Sequence, residues 1–197
     1  MRVIEIIKDE KKKMVHICLD DNSKLSMYED DYYGLGIYDK DELTSEEIIE
    51  LTRKTQERLS RTLALRMIHL KRRTRKEVED KLKNEGIFSE CIDVVLNELE
   101  IEGYINDDMY AKKLVKRMRS NNKSRKQIEQ EFIVKGLDAS KLDVIDDNNL
   151  DEVIAKNLFN KKFSGKDLSD EKVKARAYNF LKSKGFSFDV IRQYIKF

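Results

Sequence analysis

Tyr110 to Lys126, YAKKLVKRMRSNNKSRK, holds eight basic side chains and no acid. At about 100° per residue, Tyr110, Ala111, Leu114, Val115 and Met118 share one helix face. Lys112, Lys113, Lys116, Arg117 and Arg119 share the other. Like charges at i,i+4 repel by roughly 0.2–0.5 kcal/mol per pair, so an ordinary solvated face mixes signs. A face of one sign points to an anionic partner, either phosphate or an acidic protein surface. A second basic run, Lys71, Arg72, Arg73, Arg75 and Lys76, straddles a helix-to-helix turn. It supports two readings. The side chains and the backbone N–H groups after Thr74 could hold phosphate. Alternatively this is a solvated helix end, since Glu77, Glu79 and Asp80 follow at once. The same placement returns at Lys123, Arg125 and Lys126. Contact with backbone phosphates would be independent of base sequence and would weaken steeply with salt. The aromatic residues fall mostly at apolar helix positions, with no evident stacking platform.

Other chemistry finds little support. Asp107-Asp108 reads as the cap of a helix starting near Met109, rather than as a metal site. His16 and His69 have no nucleophile or carboxylate constellation, and no phosphate loop, GxSxG or HExxH occurs. The expectation is a protein that is not an enzyme and needs no cofactor. Cys18 and Cys91 read as free thiols in a reducing cytoplasm, and with two histidines at these spacings they make no metal site. Tyr104 and Tyr110 are expected to pack the repeat junction rather than to stack on bases. The acidic set Glu29, Asp30, Asp31, Asp39, Asp41 and Glu42 either faces a basic patch on a partner or keeps an edge strand soluble.

The chain has 197 residues, 40% hydrophobic and 40% charged, with no proline. The charged share exceeds the usual quarter or so and suits a helix-rich protein. Apolar runs fall far short of the roughly 20 residues of a membrane span, and the start lacks the apolar region of a signal peptide. The net charge of +2 hides an asymmetry. Residues 1–52 carry 7 basic and 14 acidic side chains, residues 53–136 carry 21 and 14, and residues 137–197 carry 12 and 10. The middle of the chain is therefore the part suited to a polyanion.

The elements that position these residues are legible. RVIEII, MVHICL and KLSMY read as three short strands separated by polar turns, followed by a loop at Gly34 and Gly36. From Thr44 the chain reads as helix. Capping boxes open at Thr44-Ser-Glu-Glu47, Thr74-Arg-Lys-Glu77 and Ser124-Arg-Lys-Gln127. TRKEVEDKLKNEG, SRKQIEQEFIVKG and VKARAYNFLKSKG end at Gly86, Gly136 and Gly185, in each case before an apolar residue. Ala64, Ala111 and Ala155 seed a helix ahead of each. This frame predicts three tandem units of about 45 residues, each of three helices stacked on its neighbour in an elongated, curved body. The third departs most, lacking the capping box and the arginine of the Arg75 and Arg125 positions. The expected organisation is a β-rich extension with a linking helix over 1–60, then repeats over 61–107, 108–152 and 153–197.

Arg73-Thr74 to Gly86 and the junction Gly103-Tyr104-Ile105-Asn106-Asp107-Asp108-Met109-Tyr110-Ala111, behind an Ala-Leu-rich helix, resemble the RecX family of regulatory proteins. The resemblance covers roughly residues 62–197, and the sheet-like start is similar to the longer members. It implies tandem three-helix repeats and modulation of the RecA recombinase by binding along the groove of the RecA–single-stranded DNA filament. It also implies inhibition of ATP hydrolysis, strand exchange and coprotease activity in recombination, DNA repair and the SOS response. A monomer is expected. The alternative is a free-standing nucleic-acid-binding protein or helix-turn-helix regulator. The acidic segment SECIDVVLNELEIE after Gly86 makes a poor groove-reading helix.

Overall fold

The computed structural model describes residues 1–146 and 150–195. The chain divides into two compact units, residues 1–72 with 78–105 and residues 73–77 with 106–197. It is mainly helical, with one small antiparallel sheet at the N-terminus.

In the first unit, strands β1 (Val3–Asp9), β2 (Met14–Leu19) and β3 (Lys24–Tyr28) form a sheet in the order β1-β2-β3. The alternation seen in the sequence sets the register, with Val15 opposite Met27 and Ile17 opposite Leu25. Val15, Ile17, Leu19, Leu25 and Met27 turn to one side, where they are buried with Leu43 and Leu51. The expected loop after β3 begins instead as a short helix, α1 (Glu29–Gly34), with Glu29, Asp30 and Asp31 in its first turn. Carboxylates there oppose the positive end of the helix dipole. Arg58 anchors α1 by donating to Asp30 at 3.0 Å and pairing with Asp31 at 2.8 Å, while its guanidinium lies 4.4 Å from the Tyr28 ring centroid. Half of the acidic set is thus accounted for inside the unit.

Helix α2 (Ser45–Leu70) runs unbroken for 26 residues, through the boundary expected at 60–61. Its first half covers the sheet through Ile48 and Leu51. Its second half packs Leu59, Leu63, Ala64 and Ile68 against a separate core, built with Val78 and Leu82 of α3 (Arg75–Asn84) and Ile92, Val95, Leu96 and Leu99 of α4 (Ser89–Ile101). One rigid helix therefore carries both cores. At its start, the Thr44 hydroxyl accepts from the Glu47 N–H at 3.2 Å and Glu47 accepts from the Thr44 N–H at 2.8 Å.

The second unit contains α5 (Asp107–Ser120), α6 (Arg125–Lys135), α7 (Leu142–Ile145), α8 (Leu150–Phe163), α9 (Glu171–Ser183) and α10 (Phe188–Ile191). Two cores fill it, one around Leu114, Ile128, Phe132 and Leu142, the other around Ala155, Phe159, Ala177, Leu181 and Ile191. The third helix expected of each later repeat is only one turn long, α7 or α10, against 13 residues for α4.

The glycine frame has a recurrent bond behind it. The N–H of the apolar residue after each glycine returns to a carbonyl five residues back: Ile87 to Leu82 at 3.2 Å, Leu137 to Phe132 at 2.9 Å, Phe186 to Leu181 at 3.3 Å. All six side chains are buried, so the turn satisfies an orphan carbonyl and closes a hydrophobic contact together. Two of the glycines are also points of close approach. A Cβ on Gly136 would lie 2.7 Å from Lys76 Cβ, and one on Gly185 would lie 2.6 Å from Ser124 Oγ.

Gly136→Ala should therefore cost more than Gly165→Ala, a left-handed glycine of the same unit with open space around it. Backbone strain alone accounts for about 1–2 kcal/mol, and displacing the Lys76 stem should add about 1–3 kcal/mol. Urea midpoints of the two variants test the order. For the first unit, the hydrogen bond from Lys40 and that from the Thr44 N–H hold the Glu47 carboxyl down at about 2. Because the folded value is depressed, the α2 cap bond should be intact above about pH 4.5 and lost as pH falls through about 2. NMR titration of the Glu47 carboxyl checks it.

Candidate nucleic-acid and partner interface

The basic residues separate into two populations. On α5, Lys112, Lys113, Lys116 and Arg117 are exposed, while Ala111, Leu114 and Val115 are buried on the opposite face. Among the described residues, none of these four cations has an ion-pair or hydrogen-bond partner for its side chain. Lys123 and Lys126, around the start of α6, are exposed and equally without an acidic partner. Lys76 is exposed in the first turn of α3, and Lys71 follows the end of α2.

Arg119 corrects the wheel-based expectation. Its side chain is only 8% exposed. It donates through Nε to Asp146 Oδ1 at 2.7 Å and through Nη2 to Asp146 Oδ2 at 2.5 Å. Its Nη1 bonds both Asp151 and the Lys123 carbonyl. Burial works against the charge, but the hydrogen bonds Arg119 donates to Asp146 and Asp151 outweigh it and raise the Arg119 pKa. The Asp146 side chain is fully buried, so the fork joins α5 to the ends of α7 and α8 rather than facing solvent. Arg125 is half-buried, with Glu129 at 3.1 Å and Asp143 at 2.6 Å. Arg73 is half-buried and reaches Glu77 at 3.5 Å, and Arg75 is half-buried too.

The helix starts of α3 and α6 do not offer free donors to phosphate, which is a second correction. Thr74 and Ser124 are fully buried. Thr74 and Glu77 complete a capping box, as do Ser124 and Gln127. The N–H of Arg75 is taken by Asp107 Oδ1 at 3.0 Å, and the N–H of Arg125 by Asp151 Oδ1 at 2.9 Å. Asp107 and Asp151 both precede a seed alanine by four residues, so the junction acid caps the neighbouring helix in each case. The cap of α5 itself is Asn106, accepting from Met109 N–H at 2.8 Å. The Asp107-Asp108 pair is thereby explained without a metal, with Asp108 paired to Lys141.

The same helix starts receive helix ends. The Ser124 hydroxyl donates to the Lys184 carbonyl at the end of α9, at 2.8 Å. Lys135, in the last turn of α6, pairs with Glu77 of α3 at 2.6 Å. Burial pushes the Glu77 carboxyl up, but the Lys135 and Thr74 hydrogen bonds prevail and hold it below its ordinary value. The Lys76 stem lies over Gly136, and Lys126 Cβ lies 3.6 Å from where a Cβ on Gly185 would stand.

Tyr110 packs on the core around Leu114, and Tyr104 is 52% exposed. Cys91 is buried and Cys18 half-buried, both as free thiols, and His16 Nδ1 lies 2.7 Å from Ser26 Oγ within the sheet. Among the described residues no cluster of His, Cys, Asp and Glu could hold a metal, and no helix is long and apolar enough to cross a membrane.

Removing one partner of a buried, hydrogen-bonded ion pair strands the other, at about 3–5 kcal/mol. Arg119→Met should lower stability by that amount in urea unfolding, whereas Lys113→Met on the open face should change it by less than about 0.5 kcal/mol.

A family model described as the third three-helix domain of RecX matches residues 151–195. The regulatory protein RecX of Clostridium botulinum strain Alaska E43 is 31% identical over 197 residues, spanning 96% of this chain and 92% of its own. That of Streptococcus gordonii is 30% identical over 191 residues, spanning 94% of this chain and 73% of its own. Among solved structures, a crystal structure of regulatory protein RecX superposes with a TM-score of 0.67 over 99% of this chain and 98% of that one, at 21% identity, a likeness of fold. The RecX structure from Lactobacillus salivarius reaches 0.61 at 28% identity, covering 70% of this chain and 93% of its own. The chain belongs to the RecX family of regulatory proteins.

Proposed function

We propose that this protein binds the RecA–single-stranded DNA filament in the cytoplasm and restrains it, inhibiting RecA ATP hydrolysis, strand exchange and coprotease activity during recombination and repair. It acts as a binding protein rather than an enzyme, through three helical repeats over 61–107, 108–152 and 153–197. The observation that carries the proposal is the open α5 face: Lys112, Lys113, Lys116 and Arg117 are exposed, of one sign and unpaired in the described structure. Lys123 and Lys126 extend it, and Lys71, Arg72 and Lys76 supply further cations. Arg119, Arg73, Arg75 and Arg125 serve chiefly to hold the helices that present this face.

The reading rests on charge placement together with family membership. The cations touch DNA phosphates and acidic RecA surface without reading bases. A chain that bridges neighbouring RecA subunits would oppose the motions that ATP turnover requires. A groove-reading helix-turn-helix is disfavoured, because α4 presents Glu90, Asp93, Glu98 and Glu100 to solvent.

RecA ATP hydrolysis on single-stranded DNA, titrated with this protein at fixed salt, should fall at well below one copy per RecA. Inhibition only at concentrations that coat bare DNA would overturn the proposal. The double variant Lys116→Glu with Arg117→Glu should abolish inhibition at unchanged helicity. Replacing the same pair by alanine should reduce the salt slope of bare-strand affinity by about 1.4, at roughly 0.7 per phosphate contact.

A further inference from the structure

We infer that a groove at the end of α2, within the first unit, holds an acidic segment of the partner protein anchored by aliphatic side chains. The groove is open to solvent and offers about 990 Å³. Leu65, Ile68 and Leu70 supply its apolar side, and Tyr104 closes it beside Gly103. Leu70 is 81% exposed and Tyr104 52%. Both stand at a concave site, which distinguishes them from the scattered surface apolar residues of any protein.

The charge around this groove has one sign. Arg66, Lys71 and Arg72 line it with His69, and no carboxylate does. Among the described residues Arg66 and Lys71 have no ion-pair partner. The nearest acid in sequence, Glu102, is neutralised by Arg61, which donates to it at 2.7 Å. Aliphatic anchors would fill the apolar side, and carboxylates flanking them would meet Arg66 and Lys71. A nucleic-acid strand matches less well. Its phosphates would find the cations, but its bases need flat stacking partners, and three of the four large apolar side chains are aliphatic. This groove lies apart in sequence from the α5 cations, so it adds an apolar anchor on the partner to the charge contacts of α5.

The identity of the partner as RecA rests on the function proposed above. The test is photocrosslinking with the full chain, carrying p-benzoylphenylalanine at position 104 or position 70, on RecA filaments formed on oligo(dT). ATP hydrolysis is followed in the same samples. The expected result is an adduct on an acidic, leucine- or isoleucine-bearing segment of RecA, with inhibition retained. Adducts only to DNA, adducts to a second copy of this chain, or none while inhibition persists would each overturn the groove assignment and leave the RecA reading standing. Absence of inhibition by the unsubstituted chain would overturn that reading and this inference with it. Independently, Leu70→Ser should raise the half-inhibitory concentration about tenfold or more, as for loss of an interface anchor, with bare-DNA affinity unchanged. Unchanged potency in that variant also overturns the assignment.

Discussion

Buried helix termini are the constraint on which the second unit depends. The first turn of any helix leaves backbone N–H groups without helical partners, and an unmet buried donor costs about 1–3 kcal/mol. Here the starts of α3 and α6 are dry, since Thr74 and Ser124 have no exposed surface. Each has its donors met in two ways, by its own capping box and by an acid at the start of another helix, and each also receives the end of a further helix: Ser124 donates to the Lys184 carbonyl of α9, and Glu77 pairs with Lys135 of α6. That last contact brings the positive end of one helix dipole to the negative end of another. It also explains the two close-approach glycines, because a helix end can fit against a buried cap only if it carries no side chain there.

This arrangement sorts the cations. A planar guanidinium can grip a carboxylate through two parallel bonds and tolerates burial better than an ammonium. The second unit uses its arginines accordingly. Arg119 grips Asp146, and Arg125 holds Glu129 and Asp143, all within the fold. What remains facing water is mostly lysine, on long flexible stems, with Arg117, Arg176 and Arg192 the exceptions among the described residues. The residues most diagnostic of the fold and those suited to a polyanion are therefore different members of one basic set.

The sequence carried the local part of this plainly. Capping boxes, left-handed glycines and the strand alternation are all decided within a few residues of themselves, and each appears where its pattern lies. The long-range part was hidden. On a helical wheel Arg119 sits at the border between the basic and apolar faces, and its partners lie 27 and 32 residues further on. A border arginine looks exposed until those acids are brought beneath it. Asp107 looked like the cap of its own helix, because the donor it actually accepts from, the Arg75 N–H, is 32 residues away. Tyr104 looked like junction packing because aromatic residues at helix ends usually are; only the fold leaves it beside Leu70. The short α1 escaped notice because its acidic first turn resembles a polar loop.

The open face of α5 also has a thermodynamic consequence. Lys112 with Lys116, and Lys113 with Arg117, are like pairs at i,i+4, each unfavourable by roughly 0.2–0.5 kcal/mol in the free helix. A partner that neutralises them removes that repulsion as well as releasing counterions, so the free protein starts from slightly higher energy than a charge-mixed helix would. The contribution, below about 1 kcal/mol for two pairs, is too small to supply affinity by itself. It biases selection among surfaces, because a neutral or basic partner leaves the repulsion in place. In the proposed complex, electrostatics would thus choose the class of surface, and apolar contact at the α2 groove would fix position on it. The two effects respond differently to salt, since screening weakens charge contacts while leaving apolar burial intact.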